Sequence, residues 1–206
     1  MSFSFAFSLS VLLASFLVIL AVELPDKTLV ATLVLSTKYR PLPVFLGVTL
    51  AFLVQCVVAV TAGSLLQLLP HRLLLVVVAL LFATGAFILL REAYNTSPPT
   101  EIDDDDEPPV GPEVSTRRMV TTTFGVLFAA EWGDASQLAT AALTARYGQP
   151  VTVFIGSFVA LVGVAALAIV LGQVILRVVP LVWVHRIAGA VFALFAVLVA
   201  SQAIRG

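Results

Sequence analysis

Charged residues are scarce in this chain, at 11% of 206 residues, whereas hydrophobic residues make up 60% and the mean hydropathy is +1.10. Soluble domains carry roughly 25% charged residues. The composition therefore excludes a soluble globular domain and indicates an integral membrane protein. Cysteine is almost absent as well. Cys56 has no second cysteine to pair with, which excludes a disulfide-stabilised fold, and its position in an apolar run predicts a small buried thiol.

Long apolar runs fill the space between the few charges. They predict an all-α integral membrane protein with six transmembrane helices. The first is expected to contain a proline break, and Pro70, His71 and Arg72 are expected to form a tight turn between the second and third. The six predicted helices are residues 8–37, 42–69, 73–94, 119–147, 150–178 and 184–204.

The composition reverses between residues 95 and 116, where proline, serine, threonine and acidic residues prevail and include the acidic run 103–107. Such a segment buries too little apolar surface to fold, so it predicts a flexible linker. The chain then divides into a first three-helix repeat (1–94), the linker (95–116) and a second three-helix repeat (117–206).

The division rests on a repeated motif. Residues 23–28 read Glu-Leu-Pro-Asp-Lys-Thr, and residues 131–137 read Glu-Trp-Gly-Asp-Ala-Ser-Gln. An offset of 108 residues aligns the two glutamates, the two aspartates, and Thr28 with Ser136. Because three helices per half is an odd number, the second half enters the membrane from the opposite side. The repeats are therefore predicted to be inverted.

Basic residues orient the predicted helices. Seven lie on the side that carries the linker and three on the other side. The positive-inside rule then places the linker in the cytoplasm and both termini outside. The expected location is the cell membrane, and specifically the plasma membrane of a bacterium, as a multi-pass protein.

Only four acidic residues of the sequence lie in the two repeated motifs. Eight of the twelve lie between positions 92 and 113, and the other four are Glu23, Asp26, Glu131 and Asp134. A carboxylate at the centre of a bilayer costs roughly 2.5 kcal/mol or more, so four are expected to persist only if they bind something. Glu and Asp three residues apart share one helix face. The inverted symmetry is expected to bring the two pairs together near the midplane.

The candidate ligands are all hard oxygens, which favour Mn²⁺, Ca²⁺ or Mg²⁺ over copper or zinc. The predicted ligand residues are Glu23, Asp26, Thr28, Glu131, Asp134, Ser136 and Gln137. Lys27 is expected to balance one charge, whereas Ala135 holds the matching position in the second motif. Pro25 and Gly133 are expected to break their helices. Amides in the apolar runs, such as Gln55, are interpreted as helix-to-helix hydrogen bonds.

The partners expected are a divalent metal ion, protons and the lipid bilayer, with no nucleic acid and no bound cofactor. The four carboxylates would hold protons when the site is empty and release them to an arriving cation. The sequence leaves open whether the chain forms a homo-oligomer.

Three other interpretations remain open. The acids could be structural ion pairs, although Lys27 can answer only one of four carboxylates. They could serve an intramembrane aspartyl protease or metallophosphatase. A phosphatase needs arginine, serine or histidine near the acids to hold phosphate, and the only cation beside either motif is Lys27, whereas a protease leaves the second acid of each pair unexplained. An exporter of an amino acid or another small metabolite would need a positive partner for the substrate carboxylate, and only Lys27 offers one.

These motifs resemble the membrane family that includes human transmembrane protein 165 and the yeast GCR-dependent translation factor. Its hallmark is two copies of Glu-x-Gly-Asp-Lys/Arg-Thr/Ser. The resemblance covers essentially the whole chain and implies a secondary transporter that exchanges Mn²⁺ or Ca²⁺ for protons, not an enzyme. Two positions depart from the hallmark: Pro25 replaces glycine in the first copy, and Ala135 replaces the basic residue in the second.

Overall fold

The structure is a computed structural model that describes residues 8–23, 32, 35, 39–95, 115–178 and 181–205. These residues form helices and short turns without any strand, so the all-α prediction is confirmed for the part described. The seven helices within it are α1 (Leu9–Glu23), α2 (Pro41–Leu66), α3 (His71–Asn95), α4 (Thr116–Ala130), α5 (Ala135–Tyr147), α6 (Pro150–Val178) and α7 (Leu181–Arg205). The predicted linker lies largely outside the described residues.

Within the described residues, three stretches are long and apolar enough to cross a bilayer. They are Pro41–Leu66, His71–Arg91 and Pro150–Val170. Two shorter apolar stretches, Leu9–Glu23 and Gly189–Ile204, accompany them. The predicted fourth helix, 119–147, is divided into α4 and α5 by residues 131–134.

The predicted turn at residues 70–72 is wrong in its placement. The backbone turns at residues 67–70, where Gln67 N donates to Ser64 O at 3.2 Å and the next two amides repeat this short spacing. His71 already begins α3, and Leu74 N donates to Pro70 O at 2.9 Å. Proline lacks an N–H and so cannot continue α2, but this lack has no cost just ahead of a helix. Pro70 therefore ends one helix and precedes the next.

Two glycines allow close helix contacts between the halves of the chain. A Cβ at Gly47 on α2 would lie 2.7 Å from the Val120 carbonyl oxygen on α4. A Cβ at Gly156 on α6 would lie 2.7 Å from the Leu12 carbonyl oxygen on α1. In the repeat alignment Leu12 and Val120 are 108 residues apart, and the two glycines are 109 apart. The same contact is thus made twice, each time by one half against the other.

Four helices pack around α5, and two of the helices in the bundle, α3 and α7, also pair with each other. Helices α3 and α7 pair through buried Phe82 and Phe192, whose rings meet edge to face with centroids 5.6 Å apart. Helix α5 packs against α1, α2, α3 and α6. Its sequence suits this position, because alanine, serine and threonine let neighbouring backbones approach closely. The fold therefore buries Glu131 and Ser136 of the second acidic motif in the helix bundle.

Candidate metal-binding site

Both glutamates of the motifs are buried. Glu23 is the last residue of α1, and its side chain is completely buried. Glu131 follows α4, donates its backbone N–H to the Leu127 carbonyl at 3.0 Å, and is 2% exposed. The two carboxylates are therefore held in the interior by elements from different halves of the chain.

Gly133 makes the break between α4 and α5. Its φ of +77° lies in the left-handed region, which glycine adopts without a Cβ penalty. A tight turn results, in which Asp134 N donates to Glu131 O at 3.3 Å. The turn redirects the chain, so that Glu131 and Asp134 belong to two separate helix ends instead of one continuous helix face.

Asp134 begins α5 as its N-cap. Its Oδ1 accepts a hydrogen bond from the Gln137 backbone N–H at 2.8 Å, and its Oδ2 accepts one from Ser136 Oγ at 2.8 Å. Both bonds suit an ionised carboxylate at the positive end of the helix dipole.

The Gln137 side chain holds the turn itself. Its Oε1 accepts a hydrogen bond from the Gly133 backbone N–H at 2.9 Å. Its Nε2 is buried without a hydrogen-bond partner in the described part of the chain. The amide oxygen that the sequence suggested as a ligand thus already has a structural partner, and its role as a ligand stays a prediction.

Three carboxylates meet at this point. Glu23, Glu131 and Asp134 each place one oxygen within 4.8 Å of the others. Oxygens that share one divalent ion at metal–oxygen distances of about 2.3–2.6 Å lie at most about 4.6–5.2 Å apart. The spacing therefore fits a single ion, and we call these three residues the acid cluster.

The other predicted site residues divide into two groups. Ser136 is buried and joins the acid cluster through its hydrogen bond to Asp134. The first-motif residues Pro25, Asp26, Lys27 and Thr28 lie outside the described residues. The convergence of the fourth carboxylate and the charge balance by the lysine stay predictions.

Helix α2 contributes two neighbours that the motifs did not reveal. Gln55 Nε2 donates to the Phe128 carbonyl near the end of α4 at 3.3 Å, so its interpretation as a helix-to-helix hydrogen bond is confirmed. Cys56 is buried, as expected, and lies close enough for the charges of Glu23 and Asp134 to act on its thiol. In the sequence, both residues could be noticed only as two adjacent polar residues within an apolar run.

Comparison with known proteins gives a family and a relative. The family model described as "Divalent cation/proton antiporter GDT1" matches residues 11–97 and 119–206. A protein of Vibrio cholerae serotype O1 named "Putative manganese exporter" is 26% identical over 193 residues, which cover 91% of this chain and 89% of that protein. No solved protein structure gives a significant match.

Proposed function

Because this chain belongs to the GDT1 family of divalent cation/proton antiporters, we propose that it exchanges Mn²⁺ for protons through the acid cluster. It is a membrane protein of a cation-transport family, and that family is not a class of enzymes. The resemblance noted in the sequence is thereby confirmed.

The observation that supports a cation as substrate is the acid cluster. One oxygen from each of Glu23, Glu131 and Asp134 lies within 4.8 Å of the others, and the two glutamates are almost fully buried. Three carboxylates this close repel one another when ionised, and burial strengthens the repulsion. A divalent cation between them removes that repulsion. This donor set contains only carboxylate oxygens, with the Ser136 hydroxyl beside it.

Manganese is favoured among the hard cations because the Vibrio cholerae relative is named as a manganese exporter. Carboxylate oxygens suit Mn²⁺ and Ca²⁺ alike, so Ca²⁺ is the natural competitor in any test. The alternative of an amino-acid exporter is less favoured, because the three carboxylates of the acid cluster would repel a substrate carboxylate.

Exchange follows from competition for the same oxygens. Protons neutralise the acid cluster when it is empty, and a bound cation replaces them. Reprotonation from the opposite side would then release the cation. Glu23, Asp26, Glu131 and Asp134 would be the four carboxylates involved, with Thr28, Ser136 and Gln137 as further oxygen donors and Lys27 as the charge balance.

The architecture proposed for this exchange is the predicted pair of inverted three-helix repeats. The contacts of Gly47 with Val120 and of Gly156 with Leu12 support it, because Leu12 and Val120 occupy equivalent positions in the two halves. The motif breaks at Pro25 and Gly133 would let the halves move about the acid cluster. In the proposed orientation the linker is cytoplasmic and both termini are outside.

The proposal can be tested in sealed proteoliposomes that contain a pH-sensitive dye. External Mn²⁺ should enter while protons leave, and a pH gradient should change the initial rate. Asp134→Asn and Glu131→Gln should each reduce both signals by about tenfold or more, because each removes a charge that the cation needs.

The matched control is Glu113→Gln, which makes the same amide replacement in the predicted linker and should transport normally. Mn²⁺ entry without proton movement, at a rate independent of the pH gradient, would show a channel or uniporter instead. Wild-type flux that is retained in both cluster variants would remove the acid cluster from the mechanism.

A further inference from the structure

A line of buried hydroxyl groups extends from the acid cluster along α5. Ser136, Thr140 and Thr144 lie four residues apart, so they occupy one helix face at intervals of about 6 Å. All three are buried. Ser157 of α6 is also buried, and its Oγ lies 3.3 Å from Thr140 Oγ1. We call these four residues the hydroxyl line.

The hydroxyl line joins the acid cluster at one end and approaches the surface at the other. Ser136 Oγ donates to Asp134 Oδ2 at 2.8 Å. Eight residues further on, the Thr144 carbonyl accepts hydrogen bonds from Gln67 Nε2 at 2.7 Å and from Gly148 N at 3.0 Å. Residues 146–148 there are exposed. The hydroxyl line therefore connects the buried carboxylates with the exposed end of α5.

The hydrogen bonds of the hydroxyl line leave acceptor oxygens available. Thr140 Oγ1 donates to the Ser136 carbonyl at 2.9 Å, and Thr144 Oγ1 donates to the Thr140 carbonyl at 2.8 Å. A hydroxyl has one proton and two lone pairs. Because the hydroxyl protons of Thr140 and Thr144 point to backbone carbonyls, the lone pairs of both oxygens remain available to a ligand. Such lone pairs stabilise a cation and do not stabilise an anion.

The first half of the chain gives an independent observation. Thr32, which aligns with Thr140 at the 108-residue offset, is completely buried. Its Oγ1 has no hydrogen-bond partner among the residues that the structure describes. A buried hydroxyl without a partner is unfavourable, and a passing cation or its water would supply one. The sequence also repeats the spacing, with hydroxyl residues at positions 28, 32 and 36.

We propose that the hydroxyl line is the route by which a partly dehydrated divalent cation moves between the acid cluster and the membrane face at which α5 ends. This inference rests on the proposed transport function. The route is closed in this structure, because all four residues are buried and α2 packs tightly beside them. A Cβ at Gly63 would lie 2.7 Å from Thr144 Cβ. Passage therefore requires α2 or α6 to move away from α5.

The test compares transport with equilibrium binding. Thr140→Val and Ser157→Ala remove hydroxyls with little change in side-chain size. Each should slow Mn²⁺ entry into proteoliposomes by about tenfold, while Mn²⁺ binding to the detergent-solubilised protein changes by less than about twofold. Thr140→Ser keeps a hydroxyl and should retain most of the transport. Thr84→Val is the matched control, because Thr84 makes the same backbone hydrogen bond on an exposed face of α3.

The outcomes separate the two proposals. Absence of Mn²⁺ flux in wild-type vesicles overturns both. Normal flux in Thr140→Val and Ser157→Ala, beside an active wild type, overturns the route alone. Loss of Mn²⁺ binding together with flux also overturns it, because these hydroxyls would then serve the acid cluster or the fold.

A second measurement does not depend on the valine variant. In Thr144→Cys, a small membrane-impermeant thiol reagent should modify the new cysteine from one side and block transport. Wild-type protein, whose one thiol is Cys56, is the control. A transporting Thr144→Cys protein that is modified from neither side would overturn the route.

Discussion

Asp134 has two roles at one position. Its carboxylate contributes an oxygen to the acid cluster, and the same carboxylate caps α5 through the Gln137 backbone N–H and Ser136 Oγ. The cap fixes where the charge lies. A rigid helix N-terminus holds the group in place, which a loop residue could not do as well.

Two substitutions at Asp134 separate these roles. Asparagine caps helices about as well as aspartate, so Asp134→Asn should leave the thermal stability of the metal-free protein nearly unchanged. Alanine lacks the cap, and Asp134→Ala should lower the free energy of unfolding by about 0.5–2 kcal/mol. Both variants lose the charge, so both should lose most of the stabilisation by Mn²⁺.

Thermal unfolding in detergent, with and without Mn²⁺, measures both effects. Equal loss of metal-free stability in the two variants would contradict the capping role. Full Mn²⁺ stabilisation of Asp134→Asn would contradict the role of the charge.

At the scale of the helix, close packing depends on single glycines. Helix α6 contains two that differ sharply in their surroundings. A Cβ at Gly156 would lie 2.7 Å from the Leu12 carbonyl oxygen of α1, whereas a Cβ at Gly163 would meet nothing within 4 Å. The pair therefore allows a controlled test of helix packing within one element.

Gly156→Ala should force α1 and α6 apart and lower the free energy of unfolding by about 1–3 kcal/mol. Gly163→Ala should leave it unchanged or raise it by up to about 1 kcal/mol, because alanine is the better helix former. The melting temperatures of the two variants, measured side by side in detergent, test whether the α1–α6 contact is close at Gly156. Equal stability of the two variants would show that the α1–α6 contact is looser than this structure has it.

Metal binding, proton binding and stability are linked at the scale of the whole molecule. A ligand that binds only the folded protein at a hundred times its Kd stabilises it by about 2.7 kcal/mol. Protons and Mn²⁺ compete for the acid cluster, and a carboxylate must be ionised to bind the metal. Stabilisation by Mn²⁺ should therefore increase as the pH rises and decrease as the pH falls.

The measurement is the shift in melting temperature at a fixed Mn²⁺ concentration, taken at several pH values from mildly acidic to mildly alkaline. Glu131→Gln should show a much smaller shift at every pH, whereas Glu113→Gln should match the wild type. A shift independent of pH would contradict competition between protons and metal at the acid cluster.

The sequence by itself determined much about this protein. Scarce charge and long apolar runs identified a helical membrane protein, because hydropathy is a property of local composition. The repeated motif indicated both the family and the three carboxylates of the acid cluster, Glu23, Glu131 and Asp134. Residue type and spacing carry this kind of information directly.

Tertiary structure decided which groups meet. No local pattern gives the 4.8 Å spacing of carboxylates from positions 23, 131 and 134, because that spacing depends on how α1 packs against α5. Nor could sequence tell that the Gln137 amide oxygen holds the Gly133 turn, since a polar side chain has several partners within reach until the backbone is placed. Ser157 joins Thr140 only because α5 and α6 lie side by side. Hydropathy and periodicity follow from neighbours along the chain, whereas a binding site is made by neighbours in space.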